Sequence, residues 1–152
     1  MITVGVESFD VVEQNQHLIK DHWEEVAGSD NSGRELDVDW EMFRTFEKHN
    51  RLVTIVARDN NEMAGYAVFI IQNHFHAKKT ICAHNDAIFL RKESRKGRAG
   101  FLLIKESKNI LEKLYPKVLI LWHVKPHVDF GNFLLKIGYK KHETIYSLNV
   151  GD

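Results

Sequence analysis

The sequence predicts a mixed α/β fold, a mostly antiparallel central sheet flanked by helices, and three observations predict it. Apolar residues alternate or run together over short stretches in the manner of strands, as in Leu52–Arg58 and Val118–Val124. They recur at three- and four-residue spacing in the manner of a helix over Ala99–Tyr115. Strands and helices alternate in the second half of the chain, the order that lays helices on the faces of one sheet. With 152 residues, 43% of them hydrophobic, the chain can fill one core but not two, so residues 1–152 are read as a single domain.

Each element has its own signal. Ile2, Val4 and Val6 alternate, so Ile2–Phe9 opens as a short strand. Val11–Val26 spaces Val11, Leu18, Ile19, Trp23 and Val26 as a helix would. Gly28–Gly33 is a loop of small polar turn formers. Asp39 is placed to N-cap a helix over Trp40–His49, with Met42, Phe43 and Phe46 on one side. Leu52–Arg58 and Met63–Gln72 form strands joined by a hairpin turn at Asp59-Asn60-Asn61-Glu62. His74–Lys79 is polar and interrupts the pattern before a third strand of this series, Thr80–Leu90. Leu102, Leu103, Ile110, Leu111 and Leu114 mark the inward side of the Ala99–Tyr115 helix, which Pro116 stops. Val118–Val124 is continuously apolar, as a strand covered on both faces should be. Val128–Ile137 is a short helix ended by Gly138, and His142–Val150 is expected to close the sheet as a last strand.

Composition excludes several classes. No apolar run approaches the roughly 18 residues that span a bilayer, and Met1–Phe9 lacks both parts of a signal peptide. Cys82 is the only cysteine, so no internal disulfide forms. A cytoplasmic protein without membrane attachment is expected. The formal charge is zero but uneven: residues 1–50 hold twelve acids against four bases, and the remainder seventeen bases against nine acids. Such asymmetry suggests two surfaces for differently charged partners, or simply solvated surface.

The most informative segment is Phe89 to Ile104, where a strand ends, a basic turn follows and an amphipathic helix begins. Five of the eight residues from Arg91 to Arg98 are basic. Amides at a helix start lack intrahelical partners and the helix dipole favours negative charge there, so this is a ready phosphate site. Arginines around it add charge-assisted bonds to a pyrophosphate. A solvated connector or a nucleic-acid patch are the other readings. Nucleic acid is disfavoured because no interleaved aromatics or known module accompany the charge, and the first third is acidic.

On these residues the chain resembles the GNAT N-acetyltransferase superfamily, whose acetyl-CoA loop typically reads Arg/Gln-x-x-Gly-x-Gly/Ala. Arg95-Lys96-Gly97-Arg98-Ala99-Gly100 stands in that place, with Arg98 where the middle glycine is expected and Gly97 one residue early. A register shifted to Ser94-x-x-Gly97-x-Ala99 is the alternative. The order of elements, with two helices between the first two strands, also resembles the family, as does Phe133-Leu134-Leu135-Lys136-Ile137-Gly138-Tyr139 as its closing helix. His22-Trp23-Glu24-Glu25 and Asn85-Asp86, with the Arg-rich loop, look like small members encoded by tailed bacteriophages.

The resemblance implies a GNAT-like sheet splayed between its fourth and fifth strands, with acetyl-CoA as co-substrate in the gap. The backbone of Ile88, Phe89 and Leu90 would hold the pantetheine arm, and Arg95, Lys96, Gly97, Arg98, Ala99 and Gly100 the pyrophosphate. His127 stands where the family often has an Asn on that arm. The implied activity is acetyl transfer to a primary amine, of a small molecule or a protein, by direct attack. A non-catalytic protein on the same fold, engaging a host protein or nucleic acid, is the alternative. A homodimer would be ordinary for such a domain.

Transfer to an amine requires that an ammonium lose a proton. Strand alternation puts Cys82, His84, Asp86, Ile88 and Leu90 on one side, which makes Asp86 the first candidate base and His84 the second. A partly buried carboxylate has a raised pKa, whereas His starts near neutrality. The Tyr that many members use as an acid is replaced by Leu134, leaving Tyr139 and Tyr146 as later candidates. Trp23, Glu24 and His123 are the candidate acceptor-binding residues, and the acids around Trp23 and Trp40 are suited to attract a cationic amine. His74-x-His76 and His123-x-x-x-His127 lack the further ligands of a metal site, and none is expected.

Overall fold

The computed structural model describes residues 1–27 and 33–151. A five-stranded sheet runs in chain order: β1 (Ile2–Glu7), β2 (Leu52–Asp59), β3 (Glu62–His74), β4 (Ala77–Leu90) and β5 (Leu119–Leu121). Before β2 come α1 (Asp10–Gln14), α2 (Gln16–Val26) and α3 (Trp40–Lys48); α4 (Ala99–Leu114) crosses from β4 to β5, and α5 (Gly131–Lys136) follows. The first four strands pair antiparallel, and β4 pairs parallel with β5, as a helical crossover requires.

Two cores lie on the two faces. Ile55, Phe69 and Ala83 pack against Leu103 and Leu111 of α4 on one face; Val56, Tyr66, Val68 and Phe89 pack against Phe9, Val12 and Leu18 on the other. Local signals act as expected at several points. The Asp39 carboxylate accepts the Met42 amide at 2.9 Å and caps α3. Asn60 and Asn61 turn the β2–β3 hairpin at positive φ, which Asn tolerates better than most residues. Gly138, at φ +101°, follows the last helix.

Elsewhere the fold departs from the sequence expectation. The helix expected over Val11–Val26 breaks at Asn15, whose side-chain amide donates to the Val11 carbonyl at 2.7 Å and competes with the helical bond. His74–Lys79 does not interrupt the sheet. It closes a tight hairpin, with the Asn73 amide bonded to Lys78 O at 2.8 Å. The expected strand Val118–Val124 shrinks to three half-buried residues. The helix expected from Val128 begins only at Gly131, after a 3-10 turn at Pro126–Val128. His142–Val150 forms no strand, and Ile145, Tyr146, Leu148 and Val150 are exposed. Strand character needs a ladder partner, and the neighbouring edge, β5, is only three residues long. The loop expected at Gly28–Gly33 lies, apart from Gly33, outside the described residues.

The departure with most consequence is a bulge in β4. Val68 pairs with Ala87 and Phe69 with Asn85, so Asp86 has no partner on β3. The extra residue reverses the alternation beyond it, so of the residues expected on one side, Cys82, His84 and Asp86 share the α2 side while Ile88 and Leu90 turn to the other. Ile88 and Leu90 join the α4 core, while Ala87 and Phe89 join the opposite one. Buried Asn85 holds the bulge, its amide donating to Ala87 O at 2.9 Å and Val68 O at 3.3 Å.

Candidate functional site

The β4–β5 ladder covers only Cys82–His84 against Leu119–Leu121, so β4 runs on to Leu90 without that neighbour. Ile88, Phe89 and Leu90 lie on this open stretch. On the α2 side of the sheet is a cavity of about 370 Å³. Tyr66, Val68, Asp86 and Ala87 line it from the sheet; His22 and Trp23 from α2; Phe43 from α3; and Arg34, Leu36, Val38 and Lys125 from the connecting segments. Asp86, unpaired at the bulge, faces this space from the same side of the sheet as His84.

Asp86 is accessible through the cavity yet enclosed by protein on its sides. That enclosure pushes its pKa above the usual carboxylate range, opposed by the charge of His123. It makes no hydrogen bond or ion pair among the described residues. Beside it, the fully buried Tyr66 places its hydroxyl 2.8 Å from His22 Nδ1. Burial, and then the Asp86 charge, hold the Tyr66 phenol well above its ordinary pKa. Burial also brings His22 down to about 4, against the pull of Glu25 and with help from Lys125 and Arg95. Both groups are therefore neutral near pH 7. The His22 ring also stacks on Phe89, centroids 5.1 Å apart.

His84 sits where β4 and β5 part, and its two nitrogens are engaged. Gln72 Nε2 lies 3.0 Å from its Nε2, and an amide NH2 only donates. Its Nδ1 lies 3.3 Å from His123 Nε2. Burial, then His123, lower the His84 pKa, opposed by Glu143. The structure brings Trp23 and Asp86 together in the cavity wall, and joins His84 to His123 beside it. Glu24 is exposed and does not line the cavity. His127 is exposed in the 3-10 turn after β5.

At the end of β4, Gly65 lies opposite Leu90, and a Cβ there would meet Phe89 O at 2.2 Å. Arg95 donates from Nε to Leu90 O at 2.7 Å and from both terminal nitrogens to Glu25. Its guanidinium also covers the Phe89 ring at 5.4 Å. Arg95 and the Leu90 carbonyl are thus already engaged with each other. Lys96 and Arg98 are exposed and make no ion pair among the described residues. Gly97 takes φ +94°, a conformation that favours glycine, one residue ahead of the family position. No side chain caps α4, whose first internal bond in this turn is Leu102 N–H to Arg98 O. The amides of Ala99, Gly100 and Phe101 are therefore left without intrahelical acceptors. Free amides, two unpaired cations and a Gly100 with open space where a Cβ would stand fit the diphosphate of a CoA.

A model of the acetyltransferase (GNAT) family matches residues 15–139. The chain belongs to this family. As a GNAT protein it is an acyltransferase whose co-substrate is acetyl-CoA. Its fold is similar to that of a predicted acetyltransferase from Clostridium acetobutylicum solved with acetyl-CoA, at 14% identity and a TM-score of 0.68, covering 99% of this chain and 97% of that one. It is also similar to an aminoglycoside acetyltransferase from an uncultured soil metagenomic sample, at 15% identity, 0.71, and 99% of both chains. A ribosomal-protein-alanine N-acetyltransferase from Brucella melitensis biovar Abortus 2308 matches at 11% identity and 0.72, with 99% and 100% covered. No curated protein matches the sequence. The narrower likeness to phage proteins receives no support from these relatives. No helix among the described residues of this GNAT protein is long and apolar enough to cross a membrane.

Tyr66, Arg34 and Lys125 belong to no motif and sequence reasoning did not select them. The one available signal was a lone phenol within the apolar run of β3.

Proposed function

We propose that this GNAT enzyme acetylates a primary amine bound in the cavity, by direct attack on the thioester, with Asp86 as general base. The observation that carries the reading is the unpaired Asp86 carboxylate, bulged out of the ladder beyond the point where β4 leaves β5. An ammonium ion beside Asp86 passes a proton to the carboxylate, directly or through water. The amine then forms the C–N bond as the C–S bond breaks and the electron pair leaves on sulfur; the second proton of the nitrogen passes through water to the thiolate, which leaves the neutral amide and the free CoA thiol. Asp86 returns its proton to solvent. A raised pKa makes Asp86 a better base than an exposed carboxylate would be.

His84 is less suited, because Gln72 and His123 already occupy its nitrogens and it does not line the cavity. It and His123 are better placed to hold the edge where the strands part. Lys96, Arg98 and the first amides of α4 would take the diphosphate, while Arg95 would shape the loop and Gly97 turn it. The open backbone of Ile88 and Phe89 would receive the pantetheine arm, with His127 near its path. Trp23 would contact the acceptor, and Glu24 would act only through its field outside the cavity.

Acetyl-CoA should raise the melting temperature of the protein, and an amine should release free thiol and yield a product heavier by one acetyl group. A protein that acetyl-CoA neither stabilises nor acetylates through would instead fit a non-catalytic binder.

A further inference from the structure

The acidic first fifty residues point toward a cationic acceptor, but the cavity itself is charged differently. Among the described lining residues it has one carboxylate, Asp86, and two cations, Arg34 and Lys125. The acids of α2 turn elsewhere: Glu24 is exposed and Glu25 is held by Arg95. Lys125 makes no hydrogen bond or ion pair among the described residues. Among the described residues Arg34 makes one bond, from a terminal nitrogen to Asn149 Oδ1 at 2.7 Å, and no ion pair, which leaves most of its five donors to a ligand. The charge of Lys125 reaches the floor of the cavity, where it helps to lower the His22 pKa. Unpaired charges of both signs around an otherwise apolar space call for a ligand that supplies both counter-charges.

We infer that the acceptor is a zwitterion of the apolar amino-acid class: its ammonium faces Asp86, its carboxylate faces Lys125 and Arg34, and its side chain packs among Trp23, Phe43 and Val38. This rests on the acetyl-transfer reading and narrows it. A cavity of about 370 Å³ lies at the low end for small ligands and suits one amino acid. A polyamine or other polycation would place surplus ammonium groups against Lys125 and Arg34 with only one carboxylate to receive them. Neutral Tyr66 and His22 add no charge to either end.

The test compares phenylalanine, phenethylamine and spermidine, which share an amine and differ in the carboxylate and in charge. Calorimetric binding, with and without CoA, reads acceptor affinity independently of chemistry. Phenylalanine should bind about tenfold or more tightly than phenethylamine, the scale of one close charge pair. In K125E and R34E that ratio should fall by about tenfold or invert. Equal or tighter binding of phenethylamine or spermidine by the wild type, or a ratio unmoved in both variants, overturns the inference. Thiol release separates the two levels. Acetylation of phenethylamine or spermidine in preference to phenylalanine defeats the acceptor class and leaves acetyl transfer standing. Selective phenylalanine binding with no release for any amine defeats the transfer reading and leaves only the ligand class of the cavity standing.

Discussion

The Glu25 carboxylate receives both terminal nitrogens of Arg95, at 2.6 and 2.8 Å, and so ties α2 to the turn that leads into α4. The same guanidinium holds Leu90 O through Nε. One side chain therefore joins the cavity wall to the end of β4, and the arginine most expected to meet a diphosphate already has partners.

E25Q tests that tie. The pair is partly exposed, so the loss of stability should be modest, about 0.5–1 kcal/mol by urea denaturation near neutral pH. Hydrogen bonding and charge from Arg95 hold the Glu25 pKa below 4.5 in the folded state. The unfolded chain then binds more protons as pH falls through this range, so the contribution is complete above pH 4.5 and fades below it. The difference between wild type and E25Q should shrink in parallel. For CoA affinity, K96E and R98E should weaken binding more than R95K does, because Lys96 and Arg98 make no ion pair among the described residues whereas Arg95 is held by Glu25.

His22 predicts a second pH dependence of different origin. Its pKa falls from 6.5 in the unfolded chain to about 4 in the fold. Between those values the unfolded state binds the extra proton, so stability falls on acidification from about pH 6.5 to 4. The shift sets an upper limit of about 3 kcal/mol. H22Q keeps an acceptor for the Tyr66 hydroxyl and removes the titration. Its stability should be flatter over that window, and urea midpoints at pH 7, 5.5 and 4.5 read the difference.

Two glycines should behave in opposite ways. G65A drives a Cβ into Phe89 O and Leu90 across the β3–β4 pair, and should cost about 1–3 kcal/mol of stability. G100A meets nothing in the fold and should leave stability level or slightly raised, as Gly to Ala in a helix does. It should nevertheless lower CoA affinity by crowding the open amides of α4. Thermal melts with and without CoA separate the two effects.

The sequence carried what local chemistry determines. Asp39 as a cap, Asn60-Asn61 as a turn, Gly138 as a helix end and the basic turn before α4 each act through neighbours a few residues away. Other features depend on partners far along the chain. The bulge at Asp86 arises from the register of β4 on β3, and no pattern within β4 alone distinguishes it from regular alternation. Tyr66 meets His22 across 44 residues, and Arg95 meets Glu25 across 70. His142–Val150 has the composition of a strand without a ladder to join, and Asn15 breaks a helix whose apolar spacing runs through it. The acidity of the first fifty residues was legible, but the cavity faces Arg34 and Lys125, which only the fold brings beside Asp86.

The role of Asp86 is tested most directly by the pH dependence of kcat/KM for wild type and D86N with one acceptor amine. The wild-type profile should rise with pH through an acidic limb set above the ordinary carboxylate pKa, because protonated Asp86 cannot take the amine's proton. D86N should lose that limb and be slower by about 100-fold or more at pH 7, with CoA affinity unchanged by calorimetry. A D86N enzyme with wild-type rates and the same acidic limb would contradict the assignment of Asp86 as the base.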